Sequence, residues 1–342
     1  MSNEIKHLFY SHSWITQLVI EAYIDKKQLA HQNITIFSNR SFYECVNPHL
    51  KDRFVNIRKL KFPNWLHVVM FADKLRRFSQ WFKNITEDDK FVLYVPHFYP
   101  IEIKMMVRNE NCLAVYLIEE GAISYRSSQY INSLKNHNYQ EFTEKYLNFF
   151  WSRKLSSVFS LQTIDNEIID GTIQMFNEAF PYSKNKIVLQ NEIGNIVRRN
   201  FYFNFEIKCI LVLTPYVDVL KLTPEIYFKD LERVMYYIIE NTEDIIHYKF
   251  HPSDSEFVKQ RTNQLAEKFG DRFVQISDSI SLEAILLKSK PTVYTCLSSI
   301  SIYAFLLDCK LNIMIDFIQF THPDLNINDI NLSSYVIPSP KI

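Results

Sequence analysis

Three short clusters in this sequence carry residue types suited to group transfer, and each follows an apolar run. Glu119-Glu120-Gly121 closes the run Cys112-Leu113-Ala114-Val115-Tyr116-Leu117-Ile118. His251-Pro252 follows Tyr248-Lys249-Phe250, and Ser298-Ser299 comes just after Thr292-Val293-Tyr294-Thr295-Cys296. A buried strand that ends in acids is well placed to aim a carboxylate into a cleft at the carboxyl end of a parallel sheet. A general base for a hydroxyl must be ionised yet basic enough to take a proton. Burial and a neighbouring like charge both push a carboxyl that way, and Glu119 and Glu120 offer both. Gly121 permits the turn that exposes them. The plain alternative is a solvated strand-to-loop turn.

Histidine suits a phosphate leaving group near neutral pH, as a hydrogen-bond or proton donor. Pro252 fixes the backbone after His251 and pre-forms the entry into the next helix. A second pair, His322-Pro323, lies in the polar tail and reads as a surface loop. Ser298-Ser299 is one of four serine pairs, with Ser127-Ser128, Ser156-Ser157 and Ser333-Ser334. Only this pair sits between an expected strand and an expected helix. There the hydroxyls and free helix N–H groups form a phosphate site, or simply an N-cap. Glu283 is a candidate for ribose hydroxyls. Thr214-Pro215 and the turn Ser11-His12-Ser13 follow strands and point to the same cleft. His97 ends the strand expected beside the glutamate strand and is a candidate for binding acceptor.

The elements that must hold these residues alternate along the chain. In the first half, strands are expected at Lys6 to Ser11, Ile34 to Phe37, Phe91 to Val95, Cys112 to Ile118 and Val158 to Leu161. Helices are expected at Trp14 to Lys27, Trp65 to Phe82 and Phe142 to Trp151. In the second half, strands Cys209 to Leu213, Ile245 to Phe250, Phe273 to Ile276, Thr292 to Cys296 and Leu311 to Asp316 alternate with helices. Those helices run Tyr227 to Glu240, Glu256 to Phe269, Ser281 to Lys288 and Ser299 to Leu307. Such alternation implies parallel sheets with right-handed crossovers. The reading is an α/β chain of two doubly wound, Rossmann-like domains, 1–195 and 205–342, facing a shared cleft. Asn191-Glu192-Ile193-Gly194 and Arg198-Arg199-Asn200 break the pattern between them.

Composition removes several other classes. The chain has 342 residues, 47% of them hydrophobic, enough for two substantial cores. Lys plus Arg number 38 and Asp plus Glu number 38, so the net basic surface of a general nucleic-acid binder is missing. No apolar run reaches the roughly 18 residues of a membrane span, and the first residues lack a signal-peptide layout. The five cysteines are scattered, so a reduced, cytoplasmic setting without disulfides or structural zinc is expected. There is no Gly-rich dinucleotide loop and no phosphate-binding loop ending in Gly-Lys-Ser/Thr, which disfavours dehydrogenases and P-loop ATPases. Nor is there an Asp-x-Asp motif or a His/Cys cluster for a metal. Residues Lys51 to Lys83 are basic and aromatic, and read either as a helix that lies on an anionic membrane or as one with a solvated basic face.

In their order and context the three clusters resemble the signatures of the bacterial sialyltransferases, a D/E-D/E-G motif, an HP motif and a Ser/Thr-rich motif. The resemblance implies a GT-B fold and an inverting, metal-independent transfer from CMP-sialic acid, with no cofactor beyond that donor. It implies Glu119 as the general base, His251 at the CMP phosphate, and Ser298 and Ser299 on the same phosphate. Glu120, Gly121 and His97 fall on the acceptor side. It further implies a bacterial surface glycan acceptor of capsule or lipooligosaccharide, built on lipid at the inner membrane, which leaves peripheral membrane contact and a homodimer open. Many relatives carry Asp in the first motif, where this chain has Glu. Another CMP-activated acidic sugar, such as legionaminic acid or Kdo, and a non-catalytic glycan-binding protein of the same fold are the alternatives.

Overall fold

The computed structural model describes residues 5–38, 47–57, 68–98, 100–125, 168–201, 206–219, 221–278, 280–296 and 298–314. The chain divides into two compact units, Met1–Ile196 and Val197–Ile342.

The N-terminal unit is built on seven strands: β1 (Lys6–Ser11), β2 (Ile34–Ser38), β3 (Phe54–Asn56), β4 (Phe91–Val95), β5 (Cys112–Ile118), β6 (Gly171–Gln174) and β7 (Lys186–Val188). They pair in parallel in the order β3-β2-β1-β4-β5-β6-β7. A parallel sheet is covered on both faces, so its strands carry consecutive apolar residues. Leu8, Phe9 and Tyr10 of β1 and Leu93, Tyr94 and Val95 of β4 are accordingly buried. Helix α1 (Trp14–Lys27) starts at Ser13, whose hydroxyl accepts the N–H of Thr16, and it packs on β1, β5 and β6. Helix α2 (Val68–Thr86) turns Leu75, Phe78 and Phe82 into the core, where Phe82 meets Phe37 and Phe91. Burying each of these side chains contributes about 1.5–3 kcal/mol. Lys74, Arg76, Arg77 and Lys83 lie on its exposed side. Helix α3 (Ile101–Val107) follows β4, and α4 (Gln190–Asn200) runs across the boundary between the two units.

The C-terminal unit holds β8 (Cys209–Val212), β9 (Ile246–Lys249), β10 (Phe273–Gln275), β11 (Thr292–Thr295) and β12 (Leu311–Ile313), all parallel, in the order β10-β9-β8-β11-β12. Its helices are α5 (Pro224–Asn241), α6 (Glu256–Glu267), α7 (Leu282–Ser289) and α8 (Ser299–Leu306). Tyr227, Leu231, Met235 and Ile238 of α5 share one core with Leu211, Tyr248 and Tyr294. Both sheets run outward from their first strand in two directions. Each therefore has a reversal point, between β1 and β4 in one unit and between β8 and β11 in the other. In doubly wound sheets that point is where ligands bind.

The sequence misled in two places. Residues 190–200 form a helix, although their glycine, asparagines and arginine pair read as an interruption. Ile193, Ile196 and Val197 all face the core, and that helical spacing outweighs Gly194. Strands β3, β6 and β7 were not anticipated; they are three or four residues long and supply too little pattern. The expected helix at 142–151 and strand at 158–161 lie outside the described residues, as does residue 65 at the start of the expected second helix.

Candidate active site

The reversal point of the N-terminal sheet gathers an acid and two imidazoles. His12 follows β1, His97 lies two residues past β4, and Glu119 and Glu120 follow β5, so β4 does lie beside the glutamate strand. Glu120 Oε2 is 3.4 Å from His97 Nε2 and 3.8 Å from His12 Nδ1. The two rings meet edge to face, with centroids 5.3 Å apart. Around Glu120 the backbone is fixed from both sides. Its N–H donates to Ser124 Oγ at 3.1 Å, and Ser13 Oγ donates to its carbonyl at 3.4 Å. Gly121 then takes φ +133°, a left-handed-side conformation that side-chain-bearing residues rarely adopt, and the chain turns away through Ala122–Tyr125.

Glu119 has a different environment. Strand pairing continues one residue past β5, with Glu119 N–H donating to Ile173 O at 3.0 Å. Successive side chains on a strand point to opposite faces, so Glu119 turns toward Tyr125 and Met175 while Glu120, itself 11% exposed, turns to His12 and His97. The Glu119 carboxylate has no exposure. Tyr125 Oη donates to Oε1 at 2.6 Å and Met175 N–H donates to Oε2 at 2.6 Å. Thr16 Oγ1 donates to its carbonyl. Both carboxylate oxygens are therefore engaged in holding Tyr125 and the segment after β6, and the geometry does not bring Glu119 to a surface where an acceptor hydroxyl could reach it.

In the C-terminal unit, His251 leaves β9 and is locked by local hydrogen bonds. Its Nδ1 accepts the N–H of Ser253 at 3.1 Å, and its own N–H donates to Asp254 Oδ2 at 2.8 Å. With Nδ1 occupied as an acceptor, the neutral ring carries its proton on Nε2, which makes that atom a donor. Burial pushes the Asp254 carboxyl up to about 6, helped by the carboxylates of Asp218 and Asp278 and opposed by the His251 N–H and Lys259. Asp254 was not singled out from the sequence. The available signal was an acid three residues after a histidine and just ahead of a helix.

Ser298 is the N-cap between β11 and α8, where its buried hydroxyl faces the N3 backbone N–H in a capping box and donates to no described group. Ser301 Oγ accepts the Ser298 N–H at 3.1 Å and donates to the Ser298 carbonyl at 2.6 Å, so Ser301 fastens the helix start. Ser299 is the first residue of α8. Thr214 follows β8 and lies beside the Cys296 thiol; burial pushes that thiol up to about 11, so it stays protonated and is no nucleophile. Glu283, in the first turn of α7, accepts Ser281 Oγ at 2.8 Å. Desolvation holds its carboxyl above the ordinary range, opposed by Ser281 and by Lys249. Lys249 itself donates to Ser277 O at 2.7 Å. Thr214, His251 and Ser298 thus follow β8, β9 and β11, three neighbouring strands. His322, Pro323 and the other three serine pairs lie outside the described residues. No described helix is long and apolar enough to cross a membrane.

The sequence offers no Asp-x-Asp motif or His/Cys cluster, yet among the described residues the fold gathers one set of side chains of ligand type. His12, His97 and Glu120 each place one ligand atom within 4.8 Å of the others. They are remote in sequence, so no spacing rule could reveal them.

A family model described as Alpha-2,8-polysialyltransferase (POLYST) matches residues 7–308. The chain belongs to that family, and hence to the sialyltransferases. A search of curated protein sequences found no match. Among solved structures, the UDP-GlcNAc 2-epimerase from Methanocaldococcus jannaschii is similar at a TM-score of 0.51 and 12% identity, over 90% of this chain and 83% of that one. A sialyltransferase from Photobacterium damsela aligns at a TM-score of 0.47 and 12% identity, over 87% and 71% of the two chains. The 2,6-sialyltransferase of Vibrionaceae Photobacterium sp. JT-ISH-224, solved with CMP and lactose, aligns at 0.48 and 12%, over 86% and 69%. At such identities the likeness is one of fold, and the fold is GT-B.

Proposed function

We propose that this member of the alpha-2,8-polysialyltransferase family moves sialic acid from CMP-sialic acid to a hydroxyl of a bacterial surface glycan, inverting the anomeric centre. The observation that carries the reading is the Glu120 carboxylate held between His12 and His97 at the reversal point of its sheet. Glu120 takes the proton of the acceptor hydroxyl. The freed oxygen attacks the anomeric carbon, and the new C–O bond forms as the bond from that carbon to the phosphate oxygen breaks. CMP leaves with the electron pair. Attack opposite the leaving group inverts the centre. The base role implied for Glu119 therefore passes to its neighbour, and Glu119 becomes the residue that fixes the turn.

The C-terminal unit meets the donor. His251 Nε2–H, the hydroxyl of Ser298 and the first N–H groups of α8 are all donors suited to the charge that grows on the leaving phosphate. Glu283 is left for ribose hydroxyls, and Thr214 lies at the same end of the sheet. These donors carry the phosphate charge without a metal. The family description names an alpha-2,8 linkage, which supports a sialic acid as the acceptor end; our reading adds a lipid-linked capsule or lipooligosaccharide chain at the cytoplasmic side of the inner membrane as its carrier. The exposed Lys74, Arg76 and Arg77 of α2 would meet anionic lipid there. Incubation with CMP-sialic acid and either sialylated or galactose-terminated acceptors tests the reading. Release of CMP and growth of the sialylated acceptor is the expected result. No CMP release from CMP-sialic acid, with release from another CMP-activated acidic sugar, would overturn the donor assignment.

A further inference from the structure

We propose that His12, His97 and Glu120 form a binding site for a borderline-soft divalent cation, zinc first among them, and that the bound metal stops transfer. The ligand set is two imidazoles and one carboxylate, a combination that suits zinc and its first-row neighbours rather than magnesium or calcium. Spacing agrees with it. Ligand atoms about 2.0–2.2 Å from a tetrahedral metal stand roughly 3.3–3.5 Å from one another. Here Glu120 Oε2 is 3.4 Å from His97 Nε2 and 3.8 Å from His12 Nδ1, and all three ligand atoms fall within 4.8 Å. Shifts of a few tenths of an ångström to about one ångström close the set.

The three side chains stand on the ends of three adjacent parallel strands, β1, β4 and β5, so the site is largely formed before any ion arrives. Ser13 and Ser124 clamp the backbone of Glu120, and His97 and Glu120 are largely buried at 8% and 11% side-chain exposure. His12, at 28%, gives an entry path from solvent. Three protein ligands leave a fourth position for water or an acceptor oxygen. A cation there binds the same oxygen that would take the acceptor proton. The occlusion rests on Glu120 being the base; the metal site does not.

The experiment uses the full chain, stripped with chelator and titrated with zinc by calorimetry, beside His12→Asn, His97→Asn and Glu120→Gln with folding checked by circular dichroism. One zinc per chain is expected for the native protein, with at least a tenfold loss of affinity in each variant and no comparable binding of Mg²⁺. Transfer should fall as zinc fills the site and return with EDTA. Absence of a stoichiometric site, or affinity unchanged in folded variants, overturns the metal site whatever the enzyme does. If zinc binds and transfer continues while Glu120→Gln abolishes it, the occlusion fails and the base assignment stands. If Glu120→Gln transfers normally, the functional reading fails independently of the titration.

Discussion

Exchanging each of the two adjacent glutamates for glutamine separates a structural acid from a chemical one. Glu119→Gln keeps the shape but replaces one acceptor oxygen with an NH₂ group. That group must then face either Tyr125 Oη or the Met175 N–H, both of which donate to Glu119 at 2.6 Å. A charge-assisted hydrogen bond is lost, and a buried donor meets an NH₂ group at a site with no solvent access. The cost is about 3 kcal/mol of folding stability. Glu120→Gln removes the basic oxygen from a largely buried side chain whose neighbours are His12 and His97 and whose backbone, held by Ser13 and Ser124, is unaffected. Stability should change by less than about 1 kcal/mol, while kcat falls by about 10²–10⁴, equivalent to about 3–5.5 kcal/mol in the barrier. The assay pairs urea unfolding with single-turnover transfer measured well below the unfolding midpoint of both variants. Glu119→Gln should be the less stable protein and the faster enzyme. A fully stable Glu119→Gln with no turnover, beside a near-normal Glu120→Gln, would refute the assignment and return the base to the leading acid.

In the proposed mechanism the His251 Nε2 donor meets the phosphate in both ground and transition states, so His251→Ala should weaken CMP binding and slow turnover together, by calorimetry and by CMP release. Asp254 reads out in stability. Its folded carboxyl titrates at about 6 against an ordinary 3.8, so the proton favours the fold, and the stabilisation present below about pH 3.8 is lost as pH rises through about 6. That rise is worth about 3 kcal/mol, and Asp254→Asn, which can still accept the His251 N–H, should lack the loss when unfolding is measured at pH 4 and pH 7. Transfer should persist in excess EDTA, and a loss that Mg²⁺ restores would mean a metal-dependent route. Reversing Lys74, Arg76 and Arg77 to Glu should abolish sedimentation with anionic vesicles at low salt, where each contributes about 1 kcal/mol, and spare transfer to a soluble acceptor.

The strands that carry the site were legible because they are buried on both faces. Runs such as Val115 to Ile118 and Val293 to Thr295 are largely interior, although Leu113 at the start of β5 is exposed, and the polar residues that end them mark the carboxyl edge of the sheet. What could not be read was which acid of the pair faces inward. That depends on pairing with Ile173 in β6, a four-residue strand whose own pattern is too short to register. The aromatic part of residues 51–83 was ambiguous for a similar reason. Phe78 and Phe82 look equally suited to lipid or to a core until β2 and β4 supply Phe37 and Phe91 as neighbours. Gathering of His12 with His97 and Glu120 is a property of strand order alone. β1 and β4 are neighbours only because the sheet reverses between them.

The two units share one topology but furnish their reversal points with opposite chemistry, and the difference follows from charge. At the N-terminal point the described groups are a carboxylate and two imidazoles, which accept protons or a cation. Beside the C-terminal point they are a histidine N–H, a serine hydroxyl and a helix N-terminus, groups whose chemistry suits an anion. A fully ionised, exposed carboxylate beside the leaving phosphate would oppose CMP binding and the charge that develops in the transition state. The acid that touches His251, Asp254, is pushed up to about 6 by burial, and Glu283 at the start of α7 is likewise held above its ordinary range by desolvation. Moving the base into that unit would therefore cost donor affinity, and moving the phosphate donors beside Glu120 would quench its basicity. In the proposed mechanism the proton acceptor stands on one unit and the anion receptor on the other, so each keeps the electrostatics its step requires.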